Sequence, residues 1–184
     1  METEKTERPD TVSENEDWLE RYATARDTNT PPETLAQLAK DEDENVREAV
    51  ASNPHTASET LAQLAKDGRD FVRGAVAENV NTPPNTLAQL AEDEDWEVRQ
   101  VVAKNPNTSV ETLRMLAEDK EWDIRYAVGG NPHTPPETLA QLAEDEDWDD
   151  LCALENFLST PPNLRRVPMP SAGGISQSNT MEIN

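Results

Sequence analysis

The chain has 184 residues, 38 Asp plus Glu against 16 Lys plus Arg, a formal net charge of -22 and a pI near 4.3. One domain or a short repeat array fits that length, and a hydrophobic share of 34%, against a usual apolar share of about 45–50%, implies a thin core, unstructured ends, or both. Such a charge excludes direct nucleic-acid binding through a basic footprint and adhesion to an anionic membrane. With no apolar run of about 18 residues and a charged N-terminus, METEKTERPD, neither a membrane span nor a signal peptide is read, and a soluble cytoplasmic protein is expected.

Residues 1–16 are polar and acidic and are expected to form a disordered tail. From Asp17 the chain repeats itself. Thr30, Thr56, Thr82, Thr108, Thr134 and Thr160 recur every 26 residues, and Leu35, Leu61, Leu87, Leu113 and Leu139 keep the same step. The string TLAQLA stands at 34–39, 60–65, 86–91 and 138–143, with TLRMLA at 112–117. Five full units with a partial unit at either end give a repeat domain over 17–166, and the Pro/Gly/Ser-rich stretch 167–184 is a second disordered tail.

Each unit punctuates itself as two short helices. Thr30-Pro31-Pro32-Glu33 offers Thr as N-cap, Pro at the first helical position and Glu to close a capping box, and Leu35, Leu38 and Ala39 then mark one apolar stripe. The acidic turn DEDW at 93–96 and 145–148 offers Asp95 or Asp147 as the next N-cap, with Val98, Val101 and Val102 turned inward. Asn-Pro at 53–54, 105–106 and 131–132 ends that second helix, because a residue before proline is pushed out of the helical region. Helices of about eight residues are marginal alone, so stacking of neighbouring units has to supply the stability. An all-α solenoid follows.

The unit V-R-x-x-V-A-x-N-P-x-T-P-P-E-x-L-x-x-L-A, as in Val98 through Leu116 or Ile124 through Leu142, resembles the variant leucine-rich repeat over about 140 of the 184 residues. The resemblance implies a right-handed superhelix in which α- and 3₁₀-helices alternate. Some members of that family hold an iron–sulfur centre in an N-terminal cysteine cluster. Cys152 is the one cysteine of this chain, so no cofactor is carried over, and a shared fold does not by itself establish a function.

Chemistry-bearing motifs are scarce. His55 and His133 take the same turn position three units apart, too distant to share a metal or a proton, and no phosphate loop, nucleophile elbow or zinc spacing is found. No enzyme activity, no metal and no catalytic residue are expected. The acidic turns stack in register, so Asp41, Asp43, Asp93, Asp95, Asp119, Asp145 and Asp147 are expected to line one edge as a negative ridge. Helix capping and solubility account for such a ridge, and mimicry of a nucleic acid's charge against a basic groove is the sharper alternative.

Three further columns carry information. Arg47, Arg73, Arg99 and Arg125 are expected to reach back to the acidic cap or forward to a neighbouring turn carbonyl, in exposed pairs worth about 0–1 kcal/mol each. Trp18, Trp96, Trp122 and Trp148 share a column that holds Glu44 and Asp70 elsewhere, and they are read as half-buried lids over the stack, with an aromatic binding strip as the other reading. Recognition is sought where the units differ. Tyr22, Glu48, Gln100 and Tyr126, with Ser52, Glu78 and Lys104 at i+4 from that column, share one helical face and form the expected partner-binding surface. A monomeric protein–protein interaction scaffold of unknown partner is the expected function; the alternative is an acidic inhibitor that occupies the groove of a nucleic-acid-binding protein.

Overall fold

The computed structural model describes residues 13–144, with side chains from residue 17 onward. Ten helices follow one another without a strand among the described residues. The longer set is α1 (Ser13–Arg26), α3 (Glu44–Ser52), α5 (Asp70–Glu78), α7 (Trp96–Lys104) and α9 (Trp122–Gly130). Between them lie α2 (Pro32–Leu38), α4 (Ser58–Leu64), α6 (Pro84–Leu90), α8 (Val110–Leu116) and α10 (Pro136–Leu142), seven residues each. Helix α1 starts at Ser13, four residues ahead of the boundary read at 17; the rest of the N-terminal tail, the expected end cap after 144 and the C-terminal tail lie outside the described residues.

Each long helix packs on the next, α1 on α3 through α7 on α9, and each short helix seats against the long helices on either side. Val46 and Val50, Val72 and Val76, Val98 and Val102, and Ile124 and Val128 are buried at i and i+4, over Leu35, Leu61, Leu87 and Leu113 from the short layer. One continuous aliphatic core runs along the stack. Each of these side chains gains its burial, about 1.5–3 kcal/mol, only where a neighbouring unit covers it, so a lone unit would leave its apolar stripe in water. Val101, expected inside, lies at the core's margin.

The short helices depart from the α/3₁₀ alternation that the resemblance implies. Their bodies are α-helical, with Leu35, Leu61, Leu87, Leu113 and Leu139 N–H groups donating to carbonyls four residues back. Tighter three-residue bonds close their last turns, as from Lys40 N–H to the Gln37 carbonyl.

Helix starts also correct one expectation. Residues Pro31, Ala57, Pro83, Ser109 and Pro135 occupy the N-cap position of the short helices, one residue after the threonine, and only Ser109 caps with its side chain. The threonines serve the helix before them. Thr30, Thr56, Thr82 and Thr108 are buried, and their hydroxyls donate at 2.6 Å to the Thr24, Val50, Val76 and Val102 carbonyls. Proline at the first helical position already removes an orphan N–H, whereas a buried helix C-terminus leaves carbonyls that need donors. Asp95 is the cap the sequence predicts, accepting from the Glu97 and Val98 N–H groups, and Asp43 accepts likewise from Asn45; Asp147 lies outside the described residues.

Candidate functional site

Two ladders join the units of the solenoid, one at the N-terminal end of the long helices and one at their C-terminal end. In the first, each arginine grips the aspartate twenty residues ahead in the following unit. Nε to Oδ2 distances are 2.6 Å for Arg21–Asp41, Arg47–Asp67 and Arg73–Asp93 and 2.8 Å for Arg99–Asp119, with Nη2 on the other carboxylate oxygen. Nη1 turns back to the carbonyl six residues behind, from Arg47 to Asp41, Arg73 to Asp67, Arg99 to Asp93 and Arg125 to Asp119. The directions are opposite to those expected from sequence: the carboxylate lies forward and the carbonyl behind. Arg73 and Arg99 are also buried, so the ladder is not a row of exposed pairs.

Each of these aspartates completes a turn as well. Asp41, Asp67, Asp93 and Asp119 accept the backbone N–H two residues on. Burial alone would push the Asp67, Asp93 and Asp119 carboxyls up, but the arginine and the turn N–H outweigh it and hold all three below the usual carboxylate range. Hydrogen bonding to those carboxylates raises the Arg47, Arg73 and Arg99 guanidinium pKa values against the opposing effect of burial.

The second ladder is built of asparagine. Nδ2 of Asn53, Asn79, Asn105 and Asn131 donates to the Ala25, Ala51, Ala77 and Ala103 carbonyls at 2.6–2.7 Å, and also to the Asp27, Asn53, Asn79 and Asn105 carbonyls. Oδ1 accepts the N–H two residues later, which is the whole part played by the His55 and His133 turns. Asn53, Asn105 and Asn131 end their helices as the Asn-Pro pairs predict, and the bonds to the preceding unit are a further role that the Asn-Pro pattern does not predict. The signal was available: Asn79 keeps the 26-residue step although Val80 follows it, so the constant residue is the asparagine.

The expected ridge therefore divides. Asp41, Asp93 and Asp119 are bound to arginine, Asp43 and Asp95 cap helices, and Asp145 and Asp147 lie outside the described residues. Among the described residues no group of three His, Cys, Asp or Glu could hold a metal ion, and no helix is long and apolar enough to cross a membrane.

Opposite in character is the outward face of the long helices. Tyr22, Glu48, Gln100 and Tyr126 are half-exposed, and Ser52, Glu78 and Lys104 are exposed, so the candidate partner-binding residues do share one solvated face. Two aromatic pairs form on it, Trp18 with Tyr22 and Trp122 with Tyr126, at ring separations of 6.0 and 6.2 Å. Arg26 lies over the Tyr22 ring at 5.7 Å. Half-burial fits the lid reading for Trp18, but Trp96 is 41% and Trp122 56% exposed and neither closes the stack; Trp148 lies outside the described residues. These indoles sit at the first position of α7 and α9, at the rim rather than over the core.

The family model described as leucine rich repeat variant matches residues 44–68, 70–95, 96–121 and 122–147. Among solved structures, a protein presented as a leucine-rich repeat variant with a novel repetitive structural motif is 32% identical, with a TM-score of 0.57, over 79% of this chain and 62% of that one. This chain thus matches less than two-thirds of that protein's length. Curated protein sequences give no match. Four consecutive family repeats over more than half its length establish that the chain belongs to the leucine-rich repeat variant family.

Proposed function

We propose that this protein is a non-enzymatic scaffold that binds another protein along the outward face of its long helices. One observation carries the reading: the residues that differ between units are those the fold leaves exposed. Tyr22, Glu48, Gly74, Gln100 and Tyr126 form one column and Arg26, Ser52, Glu78, Lys104 and Gly130 the next, all half-exposed or exposed. The residues that stay constant are occupied within the fold: the arginine, aspartate and asparagine columns hold unit to unit, and the threonines close the long helix before them. Extended exposed faces of this kind are the usual binding surfaces of solenoids.

The second reading, an acidic inhibitor that mimics nucleic-acid charge, draws on carboxylates such as Glu42, Glu94 and Glu118, which are exposed. It is the weaker of the two because Asp41, Asp67, Asp93 and Asp119 are already neutralised by arginine.

Affinity capture from native lysate, with the wild type beside a Tyr126→Ala, Gln100→Ala, Lys104→Ala variant, tests the scaffold. Loss of one salt-tolerant partner at unchanged thermal stability supports it. Capture of basic nucleic-acid-binding proteins at low salt only, insensitive to the variant, favours charge mimicry instead.

A further inference from the structure

The repeat is its own substitution series at the first position of the long helices. That column holds Glu44, Asp70, Trp96 and Trp122. An acidic side chain there is favoured by the partial positive charge of the helix N-terminus, and the first two units have one. In α7 and α9 the acid sits one position later, as Glu97 and Asp123, and the first position exposes two indoles that seal no part of the core. Phe71 is also exposed, but it stands one position further along α5, where α7 and α9 hold Glu97 and Asp123. Three successive helices therefore each show an aromatic ring next to a carboxylate: Asp70-Phe71, Trp96-Glu97 and Trp122-Asp123.

The charge around the rings selects the partner. Among the described residues no ion pair engages Glu94, Glu97 or Asp123. Of the nearby cations, Arg69 pairs with Glu44 at 2.6 Å and Lys120 faces Glu121 at 3.8 Å, while Lys104 lies two turns along α7, bonded to Gln100. Nucleic acids also stack on exposed aromatics, but in grooves lined by lysine and arginine, and here the flanking groups repel phosphate. A guanidinium or ammonium group is attracted twice, by the ring face and by the carboxylate beside it. Helix α1 displays that chemistry internally, in Arg26 over Tyr22 of the Trp18–Tyr22 pair.

Spacing sets the shape of the ligand. Packed helices lie about 8–10 Å apart, and an extended chain rises about 3.3 Å per residue, so one stacking step corresponds to about three residues. We propose that the row Trp96 and Trp122 binds an extended segment of a partner protein that carries arginines or lysines three residues apart, each cation seated against a ring amid the acids of that helix start. This rests on the scaffold reading and names its partner's chemistry.

The test uses a fluorescently labelled peptide with arginine at every third position in a serine–proline background, and a second in which citrulline, neutral and of the same shape, replaces each arginine. Anisotropy with the full chain is expected to show binding of the first peptide and not of the second. The informative variant is Trp96→Glu with Trp122→Asp, which installs what other units hold in that column and so leaves the fold intact. If the rings seat the cations, binding weakens about tenfold or more despite two added negative charges. Equal or tighter binding would show that bulk charge alone attracts the peptide and would overturn the proposal, as would binding of the citrulline peptide or of a single-stranded oligonucleotide at comparable affinity. A wild-type chain whose captured partner is lost with Tyr126→Ala, Gln100→Ala, Lys104→Ala but kept with the tryptophan variant would refute this site while leaving the scaffold standing.

Discussion

Acid on the arginine ladder and acid on the outward face of this solenoid have different fates. Asp67, Asp93 and Asp119 are buried by their neighbours, paired with arginine and bonded to the next turn, so their charge is consumed in joining units. Glu94, Glu97 and Asp123 belong to the same acidic turns and helix starts, yet face solvent or its margin and pair with nothing among the described residues. The difference shows that composition is a poor guide to function in such a chain. Total charge says how soluble the protein is, and only the unpaired part is available to a partner.

The largest test of that contrast is to break one rung. Arg73→Ala strands the Asp93 carboxylate, whose side chain is 7% exposed, and leaves the Asp67 carbonyl without its donor. A loss of about 3 kcal/mol is expected in chemical denaturation, against less than about 0.5 kcal/mol for Glu97→Gln on the outward face. Similar losses from both would mean that the two kinds of acid are not distinct. Adding Asp93→Asn to Arg73→Ala should recover part of the loss, because the stranded charge is then gone.

Acid titration separates the same two populations in the unmodified protein. The folded-state pKa values of Asp67, Asp93 and Asp119 lie below their unfolded values. Their contribution is therefore complete above the unfolded pKa of about 3.9 and is lost as pH falls through the folded values. Acidification also lowers the self-repulsion of a chain of net charge -22. Thermal midpoints are expected to rise modestly from pH 7 toward about pH 4.5 and then to drop steeply. A thermal midpoint that does not fall once the pH is below about 4 would show that the ladder carboxylates are not depressed.

The smallest expected effect falls on the outward face. Gly74 lies inside α5, and a Cβ built there meets no atom within 4 Å. Gly74→Ala should therefore stabilise the protein by up to about 1 kcal/mol, through helix propensity alone. Destabilisation would show that the column is constrained by packing and weaken its assignment to recognition.

Period, the pairing of helices in each unit and the buried stripe were legible in the 26-residue recurrence of Thr56, Leu61, Val72 and their counterparts, because a solenoid repeats its packing with its sequence. Asp95 was legible as a cap, since capping involves residues two or three apart. The roles that sequence missed reach beyond one helical turn. Thr82 reaches back to the Val76 carbonyl, Asn79 bonds to the Ala51 carbonyl twenty-eight residues away, and Arg73 chooses Asp93 ahead of it over a cap behind.

Sequence by itself determined an all-α array, because apolar spacing and proline placement act within one turn of chain. It also marked the columns that vary, and so the face on which recognition is sought. Tertiary structure alone decided which polar side chains were consumed. A hydrogen bond between units depends on how one helix seats against the next, and that geometry also left Trp96 and Trp122 at the rim while it buried Arg73 and Arg99.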